Sequence, residues 1–176
     1  MATSTSAAKR TSKADPRVGL VASSGQRSSP KRADRSRFVA YFHADPMERI
    51  QIIKQGVSAQ EVETLAVQLR WPKDQLSETL GLARATVARK LKEKRPLSVE
   101  DGARVLGMAR LVGQVQAMVE ESGDPKGFDA AAWVADWLER PVPALGGRKP
   151  AEFMDTTEGQ GLVADLVAQF QSGAYA

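Results

Sequence analysis

"WPKDQLSETLGLARATVARKLKEKRPLS", residues 71–98, decides how the rest of the chain is read. Pro72 opens a helical element, and Leu76, Leu80, Leu82, Val87 and Leu91 run through two short helices broken at Gly81. A DNA-reading helix-turn-helix needs a small residue where its helices cross. It then needs a glycine about four positions on for the left-handed turn, and an apolar anchor about six beyond. Ser77, Gly81 and Val87 stand at those places. A helical wheel predicts Ala83, Val87 and Leu91 inward and Ala85, Arg89 and Lys92 outward, with Arg84, Thr86 and Ala88 beside them.

That spacing assigns Arg84, Ala85, Thr86, Ala88 and Arg89 to base edges in double-stranded DNA. Arginine reads guanine through O6 and N7, and the alanines permit close approach. Lys73, Lys90, Lys92, Lys94 and Arg95 are placed to contact phosphate, which adds affinity without sequence information. Any surface helix of a basic protein carries such charges; here turn glycine, helix lengths, apolar anchors and charge coincide. Ala83 stands where Ser or Thr usually caps the second helix, and Leu91 falls one place later than is common.

Outward from this stretch the chain reads as helical throughout. "DPMERIQIIKQG" (45–56) has Asp45 as N-cap, Pro46 at the first position, apolar Met47, Ile50 and Ile53, and Gly56 as the stop. "SAQEVETLAVQLRW" (58–71) follows, with Ser58 and Glu61 spaced as a capping box and Val62, Leu65, Ala66 and Leu69 on one face. Residues 97–121 predict a longer helix capped by Ser98, in which Gly102, Gly107 and Gly113 signal either close helix contacts or a softer end. "SGDPKG" (122–127) is a joint, and "FDAAAWVADWLER" (128–140) is helical again.

Composition bounds the function. The 176 residues suit one compact domain or two small ones, and 42% hydrophobic content with only 6% aromatic makes the core aliphatic. Cysteine is absent, which removes disulfides, thiolate zinc sites and a cysteine nucleophile. The one histidine, His43, sits before a helix beside aromatic residues and reads as packing or capping rather than a general base. No phosphate-binding glycine loop or paired carboxylates are visible, so no catalytic role, metal or cofactor is assigned. No apolar run is long enough for a membrane, and a cytoplasmic location is expected.

Charge is uneven. Nine basic and two acidic residues fall within 1–37, a local +7 out of a total of +4. Residues 1–37 lack apolar periodicity and read as a disordered basic tail: a solvated arm, a DNA-attracted arm, or a transit peptide. Residues 72–95 carry +4 and residues 120–176 carry −6, which suggests two different partners.

The acidic end holds "PALGGRKPAEFMDTTEG" (143–159). Pro143 and Pro150 restrict the loop, Gly146 and Gly147 allow positive φ or close backbone approach, and Arg148 and Lys149 are displayed. Phe153 and Met154 are expected to pack on Trp133 and Trp137, Asp155 and Glu158 to cap the last helix, and Leu162, Val163, Leu166 and Phe170 to form its stripe. The expected architecture is all-α in two lobes: a tail over 1–37, a helix-turn-helix domain over 38–121 and a small helical domain over 122–176.

Taken with "DPMERIQIIKQGV", "LGLARATVARKLKEKRPLS" and "PALGGRKPAEFMDTTEGQGLVADLVAQFQSGAYA", the chain from Asp45 to Ala176 resembles the MbcA/ParS/Xre antitoxins, DNA-binding partners of RES-domain toxins. The resemblance rests on Pro143, Ala144, Leu145, Gly146, Gly147, Pro150, Asp155, Thr156 and Gly159; Val142 departs from it, since the family often has Asn there. It implies an Xre-like helix-turn-helix followed by a toxin-binding domain, and a NAD-consuming RES toxin as partner. Toxin contact then falls to Leu145, Gly146, Gly147, Arg148, Lys149 and Pro150 and to the chain end, Gly173, Ala174, Tyr175 and Ala176. Inhibition is expected to be steric, at the toxin's active-site cleft. Tyr175 is either an interface anchor or part of a frayed terminus. The protein is expected to repress its own operon as a homodimer, paired half-sites being the usual target of this motif. The alternatives are a stand-alone transcription regulator whose C-terminal domain senses a ligand or protein, and a partition-type adaptor.

Overall fold

The computed structural model of the chain describes residues 30–123 and 126–171. Among these residues it has eight α-helices and no strand, with isolated bridges at Ser58–Pro96 and Val142–Arg148. The helices are α1 (Pro30–His43), α2 (Pro46–Gln55), α3 (Gln60–Leu69), α4 (Lys73–Thr79), α5 (Arg84–Lys92), α6 (Val99–Glu121), α7 (Ala130–Leu138) and α8 (Thr157–Gln171). Two 3₁₀ turns, Pro143–Leu145 and Pro150–Phe153, lie between α7 and α8.

The axis of the fold is α6. Ser98 caps it as expected, its hydroxyl accepting from the Asp101 amide at 3.1 Å. Residues 111–117 are buried without interruption, so this stretch of the helix is enclosed on every side. α1, α2, α3, α7 and α8 all pack on it. The enclosure includes two glutamines. Gln114 donates to the Ala164 carbonyl at 3.0 Å, and Gln116 to Glu120 at 2.6 Å. Of the two readings of the α6 glycines, close contact is the one found. A Cβ at Gly113 would overlap the Phe38 carbonyl of α1, one at Gly107 the Gln160 side chain of α8, and one at Gly102 would crowd Val57 at 3.1 Å.

Several expectations are corrected. The helical chain begins at Pro30, inside the stretch read as tail; residues 1–29 lie outside the described residues. α1 is polar, and its apolar content gave no helical stripe to detect. It is held by Phe38, which is fully buried, and by Arg37 paired with Asp34 at 3.3 Å and Glu61 at 3.1 Å. Burial pushes the Glu61 carboxyl up, and Arg37 opposes that shift. Because Glu61 faces Arg37, the Ser58–Glu61 capping box does not form; Ala59 occupies the cap position without a side-chain bond.

The two expected helical parts share one core. One hydrophobic cluster runs from Phe38 to Val167, through α3, α6, α7 and α8. The last helix is capped by Thr156, whose Oγ1 accepts from the Gly159 amide at 3.1 Å, rather than by Asp155. Its inward stripe is Val163, Leu166 and Val167, with Leu162 and Phe170 exposed.

Substituting Gly113 with Ala should destabilise the fold by about 1–3 kcal/mol, the range for forcing atoms into a filled space. Gly161 lies in α8 with open space around it. Gly161→Ala should therefore gain up to about 1 kcal/mol from helix propensity. Urea melts of both variants check the pair; a Gly113→Ala midpoint equal to wild type would mean α1 is not seated on α6.

Candidate functional site

Two surfaces carry the candidate chemistry. The first is the α4–α5 pair. Leu76, Leu80, Leu82 and Val87 are buried, and Ser77 is buried where the helices cross. Gly81 turns left-handed at φ 61°. The Leu82 amide donates to the Ser77 carbonyl at 2.7 Å, which closes the turn. A Cβ at Gly81 would also lie 3.2 Å from that of Asp155, so the turn abuts the segment before α8. Arg104 of α6 secures this junction by donating to the Asp155 carbonyl at 3.2 Å, with Asp101 and Glu100 as its ion-pair partners. Sequence reasoning missed Arg104, since nothing in a periodic helix marks which surface arginine braces a distant turn.

The helix-turn-helix reading of inward residues needs one change. Ala83 is exposed, because it is the N-cap, outside the helix to which the wheel applies; Leu82 fills the inward place. Outward, Arg84, Ala85, Ala88 and Arg89 are exposed and Thr86 is half-buried. Among the cations, Arg84 pairs with Asp74 at 3.3 Å and Glu78 at 3.6 Å, Lys73 with Glu63, and Arg95 with Glu93 at 3.8 Å. Lys90 donates to the Pro96 carbonyl at 2.7 Å. The side chains of Arg89, Lys92 and Lys94 make no ion pair or hydrogen bond among the described residues, and Lys94 bends left-handed at φ 53°. Exposed ion pairs are worth at most about 1 kcal/mol, so the paired cations are cheaply redirected to phosphate.

The second surface is the loop between α7 and α8. The Val142 amide donates to the Arg148 carbonyl at 3.0 Å, and the Gly147 amide returns to the Val142 carbonyl at 3.1 Å. Backbone bonds therefore set the loop's start where the family often has Asn. Gly146 and Gly147 have φ of 65° and 80°, with open space where a Cβ would be; the need for glycine here is conformational. Arg148 stacks over the Phe153 ring at 4.5 Å and pairs with Glu152 at 3.0 Å, while Lys149 reaches Glu139 at 3.0 Å. Both cations are exposed yet held in place.

Two loop residues expected at a partner surface also pack on the core. Pro150 is buried and Leu145 is half-buried against the core, so they anchor the loop. Met154 is fully buried as expected, but Phe170 rather than Phe153 brings its ring to Trp137, edge-on at 5.9 Å; Trp133 stacks on Trp137 at 5.7 Å. Beside the loop this leaves a groove of about 290 Å³ lined by Trp137, Pro141, Val142, Pro143, Leu166 and Phe170. The sequence named several of these as core; that they form an open apolar groove depends on the loop's path. Gly173, Ala174, Tyr175 and Ala176 lie outside the described residues. His43 is exposed at the end of α1, its ring 5.1 Å from that of Phe42. No cluster of three or more metal-ligating side chains occurs among the described residues. No helix among them is long and apolar enough to cross a membrane.

Residues 48–110 match a family model described as the antitoxin Xre-like helix-turn-helix domain. Residues 116–173 match the antitoxin Xre/MbcA/ParS C-terminal toxin-binding domain. A protein of Sphingobium sp. (strain YBL2) named "Prs ADP-ribosylating antitoxin" is 46% identical over 139 residues, covering 79% of this chain and 87% of the relative.

Glu152 ties the Arg148 side chain to the loop backbone, accepting from the Lys149 amide at 3.0 Å and from the Arg148 Nε at 3.0 Å. The Lys149 amide, then Arg148, hold its carboxyl below the usual range. A depressed carboxylate pKa means that these bonds are present at neutral pH and lost as pH falls through that pKa. Glu152→Ala should speed amide exchange at Gly147 and Arg148 several-fold at fixed pH, measured by NMR. Unchanged exchange would assign the loop's order to its prolines alone.

Proposed function

The chain belongs to the Xre/MbcA/ParS antitoxin family and is the antitoxin of a toxin–antitoxin system; on that premise we propose how it acts. Its target is a RES-domain toxin that consumes NAD, and it inhibits by occupying the toxin's active-site cleft. The observation that carries this reading is the uncovered surface within 116–173. There an apolar groove lies beside a loop whose exposed backbone and cations are fixed in place.

Binding of this kind needs an apolar anchor and little loss of conformational freedom. The groove offers contact area for the first. The Gly146–Lys149 segment, ordered before any partner arrives, meets the second. The −6 balance of residues 120–176 suits a cleft built for a dinucleotide's phosphates, since such a cleft is basic. ADP-ribosylation, in the relative's name, spends NAD as its donor and is compatible with a toxin of this class. The chain end from Gly173 to Ala176 extends the blocking surface into the cleft.

DNA repression is the second activity. Arg84 and Arg89 read base edges with Ala85, Thr86 and Ala88 around them, while Lys73, Lys90, Lys92, Lys94 and Arg95 engage phosphate. A homodimer presents two such helices to paired half-sites of the chain's own operator. The protein acts in the cytoplasm through binding alone, with no catalysis of its own.

Arg84→Ala with Arg89→Ala should abolish operator binding in a gel-shift assay while toxin neutralisation survives; joint loss of both activities would refute the division between the surfaces. Deleting Gly173–Ala176 should weaken inhibition of NAD loss by the toxin at least about tenfold, some 1.4 kcal/mol, and leave operator binding intact. Full inhibition by the shortened chain would place the blocking element in the loop instead.

A further inference from the structure

Between α2, α6 and the start of α8 lies a cavity of about 260 Å³ that neither DNA reading nor toxin binding uses. Ile50 and Ile53 of α2 and Leu106 of α6 give it apolar walls. Two arginines, Arg49 and Arg110, line the same space. Arg49 is engaged on one side, where Nη1 donates to the Ala44 carbonyl. Arg110 is half-buried, and its side chain makes no hydrogen bond or ion pair among the described residues.

That arrangement sets a partly desolvated cation near a like charge. Burial first, and then the Arg49 charge, pull the Arg110 guanidinium below the usual arginine range; the Asp165 carboxylate opposes this without reaching ion-pair distance. A cation that has lost part of its water and gained no acceptor raises the energy of the folded chain, and a like charge nearby raises it further. Thr157 brings the N-terminus of α8, a 15-residue helix, to the same cavity, where its partial positive charge adds to theirs.

We propose that this cavity binds a small organic phosphate, with Arg49 and Arg110 clasping the phosphoryl oxygens beside Thr157 and the organic part lying against Ile50, Ile53 and Leu106. Two full positive charges and a helix end match the charge of a phosphate monoester, about −1.5 to −2, better than that of a single carboxylate. The apolar walls distinguish an organic phosphate from the free ion. The ligand would touch both matched segments at once, since Arg49 and Arg110 fall within 48–110 and Thr157 within 116–173.

Calorimetric titration and thermal melts of the full chain in phosphate-free buffer test this, with AMP and inorganic phosphate as probes and chloride at matched ionic strength as control. Wild type should bind AMP at least about tenfold more tightly than inorganic phosphate and melt higher in its presence. Arg110→Gln should melt above wild type without ligand, and should lose at least about tenfold in AMP affinity. Arg49→Gln should lose affinity likewise. AMP no tighter than phosphate would overturn the assignment to an organic ligand. Titrations indistinguishable from chloride, or variants that bind as wild type does, would overturn the site itself.

Discussion

The close approach of α1 to α6 at Gly113 is the constraint on which the rest of this structure depends. With no side chain at that position, the Phe38 backbone rests against the α6 backbone, and the Phe38 ring is shut into the core. The 111–117 stretch is buried on all sides, so each element packed there contributes a covering face. α1 supplies one that its own sequence does not advertise. The two matched segments, 48–110 and 116–173, meet within α6, next to and inside its most buried stretch, 111–117. What family comparison divides, packing joins.

The two surfaces manage charge in the same way. On α4, α5 and the segment just after them three of the expected DNA cations are held in ion pairs with Glu63, with Asp74 and Glu78, and with Glu93. On the loop Arg148 and Lys149 are held by Glu152 and Glu139. Such exposed pairs add little to stability. Their effect is to limit where long side chains point before a partner arrives, at small cost when the partner's anion replaces the carboxylate.

Much of this was legible from residue type and spacing. Asp45, Ser98 and Gly56 mark helix ends where the structure has them, and Gly81 marks the turn, because caps and left-handed turns are local events governed by one or two residues. Legibility failed where a tertiary contact outbid a local one. Glu61 leaves its capping role for Arg37, Thr156 caps α8 while Asp155 meets Gly81 and Arg104, and α1 forms for want of any other way to cover α6. In the candidate site, residue identity gave the glycines and the cations, but not the inward turn of Pro150 and Leu145 nor the groove beside Trp137. Those depend on how the loop lies across α7 and α8, which no local pattern encodes.

α6 has 23 residues, a rod of about 34 Å at 1.5 Å per residue. It runs without a break along its length. Arg104 reaches from this rod to the Asp155 carbonyl beside Gly81, so the turn of the first surface and the entry to α8 share a single mooring.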